Sequence, residues 1–262
     1  MAAMDEFREE REAIKHGTWK QKLEYFWDYY KIHTLVVVAV LVFVVSMIYN
    51  HITATEPALD GIFLNAYSQK DSASTFTLMD DFAKAQKIDL DEYHIDSQQL
   101  AHVSQQEQQE NANIDASIAS SANTSLQVIM TKTSAEVLDF IVGPHASAQE
   151  FAYGEYFIDL TEILSEEQYK QYEPYFLYID MAVLKQIREA NNNLDSDIEV
   201  SIPKSTSPED LKEPIPVLID LTQCQKLMDA YGYEPKNLAI GVIANSTHKE
   251  MALNFIDFLM TE

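Results

Sequence analysis

Cysteine is nearly absent. Cys224 is the single one in 262 residues. An intrachain disulfide, a metal site built from several thiolates and a paired-cysteine redox motif are all excluded. Stability has to come from a packed core, which 47% hydrophobic and 11% aromatic residues can supply. Glycine is scarce too, at six residues, and no glycine-rich loop able to cradle a phosphate occurs. Basic side chains are outnumbered, 18 against 42 acidic, for a formal charge of −24. With no surplus of Lys and Arg to neutralise phosphates, a nucleic-acid partner is excluded, and the acidity reads as a solubility feature.

Catalytic signatures are missing as well. There is no Gly-x-Ser-x-Gly elbow, and the seven histidines are scattered. His94 and Asp96 stand two apart on a short strand with no third ligand near, so no metal site is expected there. Asp159, Glu162, Glu166 and Glu167 gather where a helix begins, which the helix dipole favours without any catalysis. The chain reads as a non-enzyme without a cofactor.

What is present begins with one long apolar run. Leu35 to Val45 is unbroken, and Ile32 to Tyr49 adds only His33, Thr34 and Ser46 as polar residues. Eighteen residues of helix rise about 27 Å, close to the ~30 Å hydrocarbon thickness of a bilayer. Valine lowers helix propensity in water, but in lipid a helix is the one single-segment structure that satisfies its own backbone. Aromatic rings crowd one flank: Tyr25, Phe26, Trp27, Tyr29 and Tyr30, with Tyr49 at the other end. Such rings favour the headgroup zone, apolar in body and wet at the tip. Leu23, Phe26, Trp27 and Tyr30 also share a helical face, and Thr18 with Gln21 forms a capping box, so the helix is expected to begin near Thr18.

Charge sets the orientation. Arg8, Arg11, Lys15, Lys20, Lys22 and Lys31 precede the run, and the next basic residue is Lys70. The positive-inside rule then places the N-terminus in the cytoplasm and the rest outside the cell membrane. The expected organisation is a cytoplasmic and interfacial amphipathic segment (1–31), a transmembrane helix serving as an uncleaved anchor (32–49), a tether (50–58) and an extracytoplasmic α/β domain (59–262).

Within that domain, continuously apolar strands alternate with helices, the pattern of an α/β fold with covered sheets. Strands are expected at 61–67, 92–96, 136–143, 175–180, 216–221 and 238–244. Helices are expected at 74–88, 114–130 (bent or broken), 181–193, 222–233 and 247–262. Short helices and loops fill 147–172. Residues 98–113 have helical potential with little to bury, and 191–214 read as a loop.

Two stretches carry a family likeness. "LDFIVGPHASAQEFAYGEYFIDLTEIL" and "LAIGVIANSTHKEMALNFIDFLMTE" resemble extracellular solute-binding proteins with the type II periplasmic-binding fold. The first gives a strand, a small loop, a short helix and then an aromatic-Ile-Asp-Leu segment. The second gives a strand, Asn-Ser-x-His-x-Glu-x-Ala and a helix ending in FIDFLM. The likeness covers about 136–180 and 216–262, and implies a two-lobed domain.

Open α/β sheets place ligands at the carboxyl ends of strands. That rule nominates Asn65, Tyr67 and Ser68 after the first strand, Gly143, Pro144 and His145 after the central one, and Asp220 and Thr222 after a later one. Expected partners are the lipid bilayer, a small-molecule ligand and a membrane transporter or envelope protein. Two functions stay open: capture of a small solute or envelope-derived ligand for a membrane partner, or a structural and assembly role in which a degenerate binding fold docks another envelope or transporter protein.

Overall fold

The structure, a computed structural model, describes residues 17–53, 55–66, 73–106, 116–192, 200–234 and 237–261. Tyr67, Ser68 and residues 107–113 lie outside these residues; of the 98–113 stretch read as having helical potential, 98–100 instead close a strand. The chain divides into two units, Met1–Ala54 and Thr55–Glu262.

Among the described residues, the first unit contributes one helix, α1 (Trp19–Thr53). It starts directly after Thr18, whose carbonyl accepts the Lys22 N–H at 3.1 Å. Lys31–Tyr49 within it has a mean hydropathy of 2.6 and none of it is buried, so by length and composition it is apolar enough to span a membrane. Trp27 and Tyr49 are exposed. The side chains of Tyr25, Phe26, Tyr29 and Tyr30 lie outside the description. The stretch read as a tether, 50–58, is helix through Thr53 and strand from Glu56.

The second unit is mixed α/β. Its strands are β1 (Glu56–Leu64), β2 (Tyr93–Leu100), β3 (Phe140–Pro144), β4 (Phe176–Asp180), β5 (Pro214–Asp220) and β6 (Leu238–Val242). All six join one sheet, in the order β2-β1-β3-β6-β5-β4. The first three run parallel, while β6, β5 and β4 alternate in direction. The sequence expectation of two lobes therefore meets a single continuous sheet. The cause is non-local: β6, late in the chain, inserts between β3 and β5 and joins the parallel half to the antiparallel half.

Strands alternate sides with period two, so each face of the sheet collects its own core. On β1, Leu59 and Phe63 face one side, and Ile62 and Leu64 the other. The first face is covered by α2 (Ala73–Gln86), α7 (Gln225–Tyr231) and α8 (Lys249–Met260) through Phe82, Leu227, Tyr231 and Phe255. The second is covered by α3 (Ala116–Ser134), α4 (His145–Tyr153) and α6 (Met181–Asn192) through Ile129, Phe151 and Leu184. Helix α5 (Glu166–Tyr172) opens with a complete capping box, Ser165 with Gln168, and adds buried Tyr172 to the first core. Helix α3 is continuous to Ser134, where the sequence suggested a bend.

Aromatic stacking holds the first core together. The Phe63 ring lies on Tyr231, with centroids 4.1 Å apart, and meets Phe140 edge-on at 5.7 Å. Gly61 makes room for this arrangement: a Cβ there would fall 2.0 Å from Cζ of Phe140.

Candidate functional site

Strands β1, β2, β3 and β5 all finish at one end of the sheet, where β6 and β4 begin. Strand β1 leads away to β2 on one side and has β3 on the other, so the β1/β3 junction is the switch point at which α/β sheets form crevices. Gly143 allows that junction to close: a Cβ there would sit 2.9 Å from the Leu64 Cβ.

Asn65 follows β1 directly. It holds a left-handed backbone, φ 56°, which Asn tolerates better than most residues. Its side-chain amide donates to the His102 carbonyl and its side-chain oxygen accepts the His102 N–H, both at 2.8 Å. The loop after β2 is thereby fixed to the end of β1. The His102 ring is buried, tilts against Phe151 at 4.9 Å, and brings Nε2 within 3.6 Å of Glu150 Oε2. That separation is longer than a hydrogen bond. Burial alone raises the Glu150 carboxyl, but the His102 ring and the Gln105 N–H outweigh it, leaving the group below the usual glutamate range.

Helix α4 starts at His145, immediately after Pro144, and carries Gln149 and Glu150 on its second turn. With Ser104–Gln106, Ala146 and Val200–Lys204, these side chains line a cleft of about 710 Å³. Gln149 is buried and its Nε2 donates to the Pro203 carbonyl at 2.8 Å, which secures the 200–204 wall. Ser104, Gln105, Gln106, Gln149, Glu150, Ser201 and Lys204 give the cleft amide, hydroxyl and charged groups, and no aromatic ring among the described residues lines it.

The other nominated residues meet one strand pair away. His145 Nε2 lies 3.4 Å from Asp220 Oδ1 and 3.2 Å from the Leu238 carbonyl. Asp220 Oδ1 also accepts the Thr222 N–H at 2.8 Å, and Thr222 Oγ1 accepts the Leu238 N–H at 3.3 Å. Asp220 and Thr222 line a second cleft, of about 450 Å³, with Pro174, Tyr175, Cys224 and Lys226. His145 links the two hollows: its neighbour Ala146 lines the larger and its partner Asp220 the smaller.

The structure thus brings His145, Asp220 and Thr222 into one cluster, and puts Asn65 and Gly143–Pro144 at the adjoining switch point. Sequence reasoning passed over Gln149 and Glu150, although a helix beginning at the carboxyl end of a nominated strand was signal enough to find them. It also passed over Asp139, a buried carboxylate at the opposite end of the sheet. Among the described residues, no group of three or more His, Cys, Asp or Glu is arranged to hold a metal ion. No protein-family model, curated protein or solved structure matches this chain.

Proposed function

We propose that the chain is a single-span membrane protein whose C-terminal domain lies outside the cytoplasm and binds a small polar solute, presenting it to a membrane partner. The carrying observation is the cleft of about 710 Å³ beside the β1/β3 switch point, lined by Gln149, Glu150, Ser201 and Lys204. Its volume falls within the range of small-molecule sites, and its converging amides, hydroxyls and charges suit a polar solute rather than an apolar one. The cluster of basic residues before the apolar run supports the orientation. The likeness of "GEYFIDLTEIL" and "NSTHKEMA" to type II solute-binding proteins supports the same reading, with one sheet in place of two lobes.

The alternative, a degenerate fold that docks an envelope or transporter protein, predicts a filled cleft. The open cleft weighs against it.

Thermal melting of the detergent-solubilised chain against panels of sugars, amino acids, short peptides and oxyanions tests the proposal. A true ligand at a hundred times its Kd stabilises by about 2.7 kcal/mol, which for a domain of this size is roughly 5–10 °C. At least one panel is expected to give that shift, and Glu150→Ala is expected to remove it. Failure of every panel returns the domain to the docking reading.

A further inference from the structure

The Asn245-Ser246-x-His248-x-Glu250 segment lies at the opposite end of the sheet from the solute cleft, between β6 and the first turn of α8. The contacts of Ser246 and His248 converge on Asp139, which is fully buried just before β3, while Asn245 donates to the Thr133 carbonyl. One carboxylate oxygen, Oδ2, accepts the Asp60 N–H at 2.8 Å. The other, Oδ1, accepts the Ser246 hydroxyl at 2.6 Å and faces His248 Nδ1 at 3.2 Å. Ser246 Oγ in turn accepts the His248 N–H at 3.0 Å. The serine hydroxyl is committed to the carboxylate rather than to the histidine, so this is no nucleophile–base pair.

An ionised carboxylate can only accept, so the contact with Asp139 fixes the proton on Nδ1 of His248, and in that neutral tautomer Nε2 carries the lone pair. Two fixed bonds, one to the side chain and one to the backbone, aim that ring. No described group hydrogen-bonds to Nε2. His248 lines a cleft of about 690 Å³ between the start of β1, the end of α2 and the first turns of α8. Glu56, Asp89 and Glu250 line it against a single Lys87, and Tyr93, Ile88 and Met251 give it apolar wall.

We propose that this amino-end cleft is a second binding site, specific for a small alkylammonium ligand, with His248 Nε2 as the oriented acceptor. An ammonium group offers three donors and a positive charge. The imidazole lone pair takes one donor, and the flanking carboxylates balance the charge. The short alkyl body lies against Tyr93, Ile88 and Met251. Bulk acidity would attract any cation diffusely; the Asp139-held imidazole is what makes the site specific. The site is separate from the solute cleft and stands whether or not that cleft binds.

The test is calorimetric titration of putrescine into the full-length chain in detergent at pH 8 and moderate salt, with 1,4-butanediol as the uncharged control. One saturable site is expected for putrescine and none for butanediol. His248→Asn keeps a donor for Asp139 and removes the ring nitrogen that extends the acceptor into the cleft. Glu250→Gln removes an exposed charge at its mouth. Each is expected to weaken binding at least tenfold, while Glu209→Gln, on the separate 3-10 turn Pro208–Asp210, leaves it unchanged. Absence of saturable binding overturns the proposal. So does equal weakening by all three variants, or none by His248→Asn, since either marks diffuse attraction to an acidic protein.

Discussion

Asn65 and His102 hold each other through one amide: Asn65 Nδ2 donates to the His102 carbonyl while Asn65 Oδ1 accepts the His102 N–H, each at 2.8 Å. The pair ties the end of β1 to the loop that leads into the cleft of about 710 Å³, and it does so from a left-handed backbone. Asn65→Ala removes both bonds and places a Cβ-bearing residue without a local hydrogen bond at φ 56°. A loss of about 2–3 kcal/mol is expected. Asn65→Gly, which relieves the backbone but not the lost bonds, should fall between Asn65→Ala and the native chain in thermal melting.

Asp60 carries a pH signature. It is buried within β1, and Lys132 Nζ reaches its Oδ2 at 2.5 Å, with Asp96 Oδ2 3.3 Å from the same nitrogen. Burial outweighs the lysine and pushes the carboxyl from 3.8 up to about 6, with the Asp96 and Asp139 charges adding to the rise. A group whose folded pKa is raised favours folding below its unfolded value and loses that contribution as pH rises through the folded one. The displacement from 3.8 to about 6 corresponds to about 3 kcal/mol. Relative to Asp60→Asn, the native chain should therefore lose about that much stability between pH 3 and pH 7, measured by urea denaturation at each pH. A difference profile that is flat over this range contradicts the assignment.

The Phe63–Tyr231–Phe140 stack predicts a sharp core effect. Phe63 is fully buried and makes three ring contacts, the third to Phe255 at 6.5 Å. Phe63→Ala should cost about 3–5 kcal/mol. Phe63→Leu, which refills most of the volume, should cost clearly less in the same denaturation experiment.

Much of this fold was legible locally. The apolar run gave the helix that contains Lys31–Tyr49, and the alternation of apolar runs with amphipathic stretches gave all six strands and the helices covering them. Strand order was not legible, because pairing β6 between β3 and β5 depends on contacts far apart in the chain, which leave no local periodicity. The rule that ligands sit at carboxyl ends led to His145, Asp220 and Thr222, which do meet, but none of the nominated residues lines the cleft of about 710 Å³. The Asp139–His248 contact spans 109 positions, and a polar residue before a buried strand looks in sequence like any loop residue.

The candidate span makes a prediction of its own. Val40 is exposed near the middle of Lys31–Tyr49. Val40→Arg should disfavour insertion by about 2.5–3.5 kcal/mol, read as the membrane-integrated fraction in an insertion assay. In intact cells, externally added protease should digest residues beyond the span and spare those before it. Protection of the C-terminal domain until lysis contradicts the proposed orientation.

Binding at the carboxyl-end cleft is the central claim, and one titration tests it most directly. The solute that gives the largest thermal shift is titrated calorimetrically into the native chain, into a Gln149→Ala, Glu150→Ala double variant, and into Glu209→Gln as a control. The account predicts one saturable site in the native chain and the control, weakened at least tenfold in the double variant. Equal affinity in all three would place the solute elsewhere and contradict it.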